Sequence, residues 1–190
     1  MSGFRNIAPA LVFACLSAAS GAAWAITVPE LQRLLQSSPK QSVPFEELRE
    51  SPWLAAPQTS RGTMHSTPQS LEKRIESPRQ ETWRLLPDRI EFLGAGGTGG
   101  KQILFSQAPA LAALADVMRR VVAGDLVALE REFRIELHGD ERAWRAQLQP
   151  RSADVGRYLE SVELQGTANR LQIIIVSERQ GERTTTRLLP

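Results

Sequence analysis

The sequence predicts a mainly β protein organised as one large, curled antiparallel sheet with few helices, and three observations carry that expectation. Short extended runs recur along most of the chain. Several of them alternate apolar with polar residues, the two-residue period of a strand that buries one face. Turn formers join neighbouring runs at hairpin spacing, as in Gly139-Asp140-Glu141, Gly166 to Asn169 and Gln180-Gly181.

Residues 1–25 stand apart from that pattern. Arg5 gives a positive start, Ile7 to Ala19 an apolar stretch broken by Pro9 and Ser17, and Ala23-Trp24-Ala25 an A-x-A site, the features of a secretory signal peptide cleaved after Ala25. The stretch is shorter than the roughly 20 apolar residues a membrane-spanning helix needs. Cys15, the only cysteine, lies inside it, so the chain from Ile26 onward has no thiol for a disulfide or a metal. Val12-Phe13-Ala14 is a poor lipobox for that cysteine, which argues against lipidation.

From Ile26 to Pro190 there are 165 residues, a length suited to a single domain with a sizeable core. Removing Arg5 lowers the formal charge from +2 to +1. Arginine outnumbers lysine 20 to 3, but acidic residues are interleaved with the arginines and no basic cluster forms, which argues against nucleic-acid binding.

The first element of this domain is a short helix. Leu31, Leu34 and Leu35 recur at helical spacing, Thr27 is placed to cap and Pro29 falls in the first turn. Extended runs follow at 42–49, 60–66, 70–77, 81–86, 89–93 and 101–105. Within Gly62 to Pro78, Pro68 divides two such runs; proline cannot donate to a ladder, so this hinge marks a hairpin or a sheet edge.

The strongest helical pattern then interrupts the strands. Pro109 opens it, Leu111, Leu114, Met118 and Val121 form one stripe, Arg119 and Arg120 end it, and Gly124 stops it. Asp125 is placed to cap a further turn at 126–130. Extended runs resume at 131–138, 142–149, 157–165, 170–177 and 182–189. Phe133, Ile135 and Leu137 point opposite to Arg134, Glu136 and His138, and Trp144, Ala146 and Leu148 oppose Arg145, Gln147 and Gln149. One face of the sheet is therefore apolar, and the helix at 109–122 is the available cover.

The motifs do not point to catalysis. Gly94 to Gly100 contains a formal G-x-G-x-x-G, but a dinucleotide fingerprint must open a helix, and Lys101 to Phe105 reads as a strand. His65 and His138, the only histidines, read as solvated strand residues without a nucleophile elbow or zinc-ligand motif. Glu46 with Glu47 and Asp140 with Glu141 are adjacent, so on a strand they face opposite sides and read as edge or surface charges. No cofactor, metal site or enzymatic activity is expected. Trp53, Trp83 and Trp144, with Phe45, Phe92, Phe105 and Phe133, suit either a core or the lining of an apolar cavity.

The order of these parts resembles the periplasmic outer-membrane lipoprotein carrier family, LolA-like, in one of its divergent members. The resemblance rests on an exported chain with an N-terminal helix, a hairpin carrying Gly62, Met64, Pro68 and Leu71, a central helix, and closing strands with Leu148-Gln149-Pro150 where the family has Leu-Thr-Pro. The family has a functionally important basic residue immediately before the hinge proline, and this chain has Thr67 there.

The resemblance implies an unclosed antiparallel β-barrel of about 11 strands, whose apolar concave face, under the helices, holds acyl chains. The expected cavity residues are Phe45, Met64, Leu71, Ile75, Trp83, Leu85, Phe92, Phe105, Phe133, Ile135, Trp144, Leu148, Val162 and Leu164, with Leu111, Leu114 and Met118 on the lid. The implied protein is a monomeric periplasmic carrier of lipoproteins or a related amphiphilic lipid, working between membrane-bound donor and acceptor proteins. A carrier of an aryl-polyene or other polyketide-lipid conjugate, and an envelope binding or sensor module that transports nothing, stand as alternatives.

Overall fold

The computed structural model describes residues 26–37, 42–67, 69–95 and 100–190. The segment expected to be a signal peptide, with Cys15 and the expected cleavage site, the hinge proline Pro68 and residues 96–99 of the glycine-rich segment lie outside the described residues. Among the described residues no helix is long and apolar enough to cross a membrane.

The chain opens with α1 (Val28–Gln36), buries Val28, Leu31 and Leu35, and is held at its start by Glu30. The Glu30 carboxylate accepts from the Thr27 backbone N–H at 2.9 Å and from the Thr27 hydroxyl at 2.6 Å. Six strands follow: β1 (Val43–Glu50), β2 (Gln58–Ser66), β3 (Leu71–Ser77), β4 (Glu81–Leu85), β5 (Arg89–Leu93) and β6 (Gly100–Leu104). Phe105, expected at the end of the sixth strand, instead begins a 3-10 turn, Phe105–Gln107, that leads into α2 (Pro109–Ala123).

Gly124 ends α2 with φ 72°, a left-handed conformation open to glycine at little cost. Then come α3 (Leu126–Leu129), β7 (Phe133–Gly139), β8 (Trp144–Pro150), α4 (Ala153–Gly156), β9 (Leu159–Thr167), β10 (Arg170–Glu178) and β11 (Arg183–Leu188). The short α4, which no strong sequence pattern announces, is capped by the Ser152 hydroxyl accepting from the Val155 N–H at 3.3 Å.

All eleven strands form one antiparallel sheet in the order β6-β5-β4-β3-β2-β1-β11-β10-β9-β8-β7. It is two meanders joined where β1 pairs with β11, with Phe45 opposite Leu188 and Glu50 opposite Arg183. β6 and β7, neighbours along the chain on either side of the helices, end up at opposite edges. The sheet is unclosed. Register shifts at Arg61/Gly62 in β2 and at Leu171/Ile173 and Ser177/Glu178 in β10 mark bulges, which add local twist.

The helices divide the inner face into two. Over β7 to β10, α1, α3 and one side of α2 seal a dry core that contains Leu31, Val117, Val121, Leu126, Leu129, Phe133, Leu148 and Ile174. Over β1 to β5, α2 alone covers a second cluster around Phe45, Met64, Leu71, Ile75, Leu85 and Ile90. Trp53, a candidate for core or cavity, is neither: it stands 77% exposed in the loop after β1.

Candidate ligand-binding cavity

The uneven cover leaves space. Between α2 and the strands is a cavity of about 450 Å³, whose wall takes Leu85 and Ile90 from one meander and Leu159 and Val176 from the other. That both meanders reach the same cavity shows how far the sheet curls around α2. The apolar part of the wall comes from Met64, Leu71, Trp83 and Leu85 on the strands and from Leu111, Leu114, Ala115 and Met118 on the helix.

Of the residues expected at a cavity, Met64, Leu71, Trp83, Leu85, Leu111, Leu114 and Met118 line this one. Phe45 and Ile75 are buried in the cluster beneath it, and Phe92 and Phe105 pack on that cluster's flank. Phe92 meets Trp83 edge-on, with ring centroids 5.5 Å apart. Phe133, Trp144, Leu148, Val162 and Leu164, with half-buried Ile135, lie in the dry core under α1 and α3. Of the expected residues, the structure thus brings Met64, Leu71, Trp83 and Leu85 of the first meander and Leu111, Leu114 and Met118 of α2 to the space, and packs those of the second meander in the core under α1 and α3.

A polar stripe runs through the wall. On β1 the alternation turns Phe45 and Glu47 inward, and on β3 it turns Leu71, Lys73 and Ile75 inward. Lys73 donates to Glu47 Oε1 at 2.6 Å, with side-chain exposures of 10% and 12%. Thr186 from β11 donates its hydroxyl to Glu47 Oε2 at 2.7 Å. The Lys73 ammonium also lies over two rings, 5.0 Å from the Phe45 centroid and 5.1 Å from that of Trp83, a cation–π arrangement that compensates part of its lost hydration.

Towards the rim the wall becomes charged. Arg49 clamps Glu182 with Nε and Nη2, each 2.9 Å from a carboxylate oxygen. Glu178 and the half-exposed Tyr158 line the same end. Burial pushes the Glu178 carboxyl above the ordinary carboxylate value, the Glu182 charge adds to that, and Arg49 opposes it. His65 and His138 are both exposed, on well-separated strands.

Sequence reasoning missed the polar stripe, although one signal was present. Lys73 sits midway between Leu71 and Ile75, both expected at the cavity, and a two-residue period puts all three on one face. Glu47 follows Phe45 by the same step.

The family model described as "Outer membrane lipoprotein carrier protein LolA-like" matches residues 18–189, nearly all of the sequence. The chain belongs to that family. Among solved structures, this LolA-like chain is similar to a LolA superfamily protein from Nitrosomonas europaea, with 12% identity and a TM-score of 0.43, covering 87% of this chain and 93% of that one. It is also similar to a DUF1329 family protein from Desulfovibrio piger, with 8% identity and a TM-score of 0.45 over 85% of this chain and 88% of that one. A domain from Vibrio parahaemolyticus described as an outer membrane lipoprotein-sorting protein shows 10% identity and a TM-score of 0.42 over 86% of this chain and 89% of that one. No curated protein sequence matches this chain.

Proposed function

We propose that this LolA-like protein is a non-enzymatic periplasmic carrier that binds an acyl chain of a lipoprotein or a related amphiphile and delivers it towards the outer membrane. The observation that carries the reading is the cavity of about 450 Å³ between α2 and the curled sheet, apolar over most of its wall. Its size falls within the roughly 300–1,000 Å³ of small-ligand sites. Moving acyl methylenes from water into such a space contributes about 0.8 kcal/mol for each one buried.

The cycle needs no bond to form or break. Displacement of α2 opens the cavity to a donor protein at the inner membrane, and an acceptor of higher affinity takes the chain at the outer membrane. The exported protein acts as a single-domain monomer between these two partners.

The test is recovery of cargo. Protein purified from its native envelope is extracted with organic solvent and the extract read by mass spectrometry, while binding of a synthetic lipopeptide is measured in solution. Acylated material in the extract and saturable lipopeptide binding are expected. An empty extract together with no lipopeptide binding would sink the carrier reading and leave a module that recognises another envelope protein. An extract that holds a polyene conjugate would keep the carrier and change its cargo.

A further inference from the structure

The charges along the cavity wall do not balance. Three carboxylates line it, Glu47, Glu178 and Glu182, against two cations, Arg49 and Lys73. Both cations are already engaged. Lys73 lies 2.6 Å from Glu47, and Arg49 lies 2.9 Å from Glu182. Glu178 is left over. Among the described residues its carboxylate has no hydrogen-bond donor and no ion-pair partner, and Arg49 acts on it only through its more distant charge. Burial and the nearby Glu182 both work against the ionised form.

The position of this carboxylate says what kind of partner would satisfy it. Glu178 closes β10 two residues after Val176, which also lines the cavity, and it stands opposite Leu159 of β9. The apolar wall therefore ends at an unpaired negative charge, with the half-exposed Tyr158 beside Leu159 at the same end. An anionic head group here would add to a wall that already carries a net charge of −1. A neutral head group would leave Glu178 as it is. A primary ammonium brings a positive charge and three N–H donors, and it offsets the burial of the carboxylate. The protein as a whole does not share this preference, since the chain from Ile26 onward has a formal charge of +1. Selection of a cation must come from the cavity itself.

On the carrier reading above, we infer that the cavity takes an amphiphile whose chain ends close to a primary ammonium group, and that Glu178 is the residue that selects it. The ammonium sits at the rim beside Glu178, and the chain runs inward along Val176, Leu85 and Leu114. An ammonium-bearing lipid head group and a lysine next to an acylated residue share this chemistry.

The experiment uses the chain from Ile26 to Pro190 and displacement of a fluorescent fatty-acyl probe by dodecylammonium, dodecanol and dodecanoate, each as monomers in solution. Dodecylammonium is expected to bind about fivefold tighter than dodecanol, as a partly solvated ion pair provides. Dodecanoate is expected to be the weakest of the three. Glu178→Gln should bring the ammonium-to-alcohol ratio close to one without changing the affinity for dodecanol, which a merely structural role of Glu178 would not do. Glu178→Lys should invert the order and favour dodecanoate, and it decides the matter should the glutamine variant fail to fold. A lipopeptide with lysine beside its acylated residue, compared with its norleucine twin, tells the two sources apart: tighter binding of the lysine form assigns the ammonium to acylated peptides, and equal binding assigns it to lipid head groups. An ammonium-to-alcohol ratio near one in the wild type, a ratio unchanged in the folded variants, or dodecanoate binding tighter than dodecylammonium would each overturn the inference. If neither the probe nor any chain binds at all, it is the carrier reading that falls.

Discussion

Gly166 stands opposite Trp144 across the β8–β9 ladder, and the indole ring lies where a side chain at 166 would project. The ring is fixed in place by its N–H, which donates to the Ala168 carbonyl at 3.0 Å. A Cβ at 166 would strike both the ring and the Arg170 carbonyl oxygen. Gly166→Ala is therefore expected to destabilise the fold by about 1–3 kcal/mol through overpacking. Urea unfolding followed by tryptophan fluorescence measures it. An unchanged midpoint would mean that both the ring and the Arg170 backbone give way freely.

The Lys73–Glu47 pair makes a prediction about stability that is separate from any ligand. Each side chain is about nine-tenths buried, with exposures of 10% and 12%. Lys73→Ala leaves a buried carboxylate without its partner and should cost about 3–5 kcal/mol. Replacing both residues, Lys73→Met with Glu47→Leu, should cost much less than the single change, because apolar groups of similar size replace the charges. A double-mutant cycle in urea reads the difference, and simple additivity would refute the coupling.

The helix face over the cavity can be probed with one charge. Leu114 is half-buried and lines the cavity from α2. Leu114→Asp should leave the β-type circular dichroism spectrum in place and weaken binding of a fluorescent fatty-acyl probe by about tenfold or more, since the chain must then lie against a carboxylate. Wild-type affinity in a folded variant would remove this face of α2 from the binding site.

Glu178 gives a pH dependence with a definite sign. Its carboxyl is held above the ordinary value chiefly by burial, so the folded state favours the protonated form. The stability it contributes is fully present below the ordinary carboxylate pKa and is lost as pH rises through its elevated value. Glu178→Gln should accordingly raise the melting temperature at pH 7, with the gain shrinking to nothing as the solution is acidified past the ordinary carboxylate range. A gain that stays constant with pH would assign the effect to packing.

The strands were legible because the sheet buries one face, so each strand advertises its period: Phe133-Arg134-Ile135 and Trp144-Arg145-Ala146 name their own sides. The stop at Gly124 was legible for a local reason too, its backbone conformation. What stayed hidden depends on partners far apart in the chain. Glu47 beside Glu46 reads as surface charge until β3 brings Lys73 and β11 brings Thr186 to its two oxygens.

The division of the apolar face was hidden for the same reason. Leu148 and Met64 carry equivalent strand signals, yet α1 and α3 cover the first and leave space above the second. Nothing within either strand records which helix will lie over it. The exposed Trp53 shows the converse, a large apolar residue whose loop never turns it towards the core.

The seam at β1 and β11 has a consequence for how the molecule is made. Each meander can zip up from hairpins closed by nearby residues, but neither central strand has its second neighbour until Phe45 meets Leu188. Closing that distance is the step with the largest loop entropy. A chain that lacks Arg183–Leu188 would retain two half-sheets, each presenting a raw central edge to any passing strand. The pairing of β11 with β1 is thus the clasp of the whole sheet.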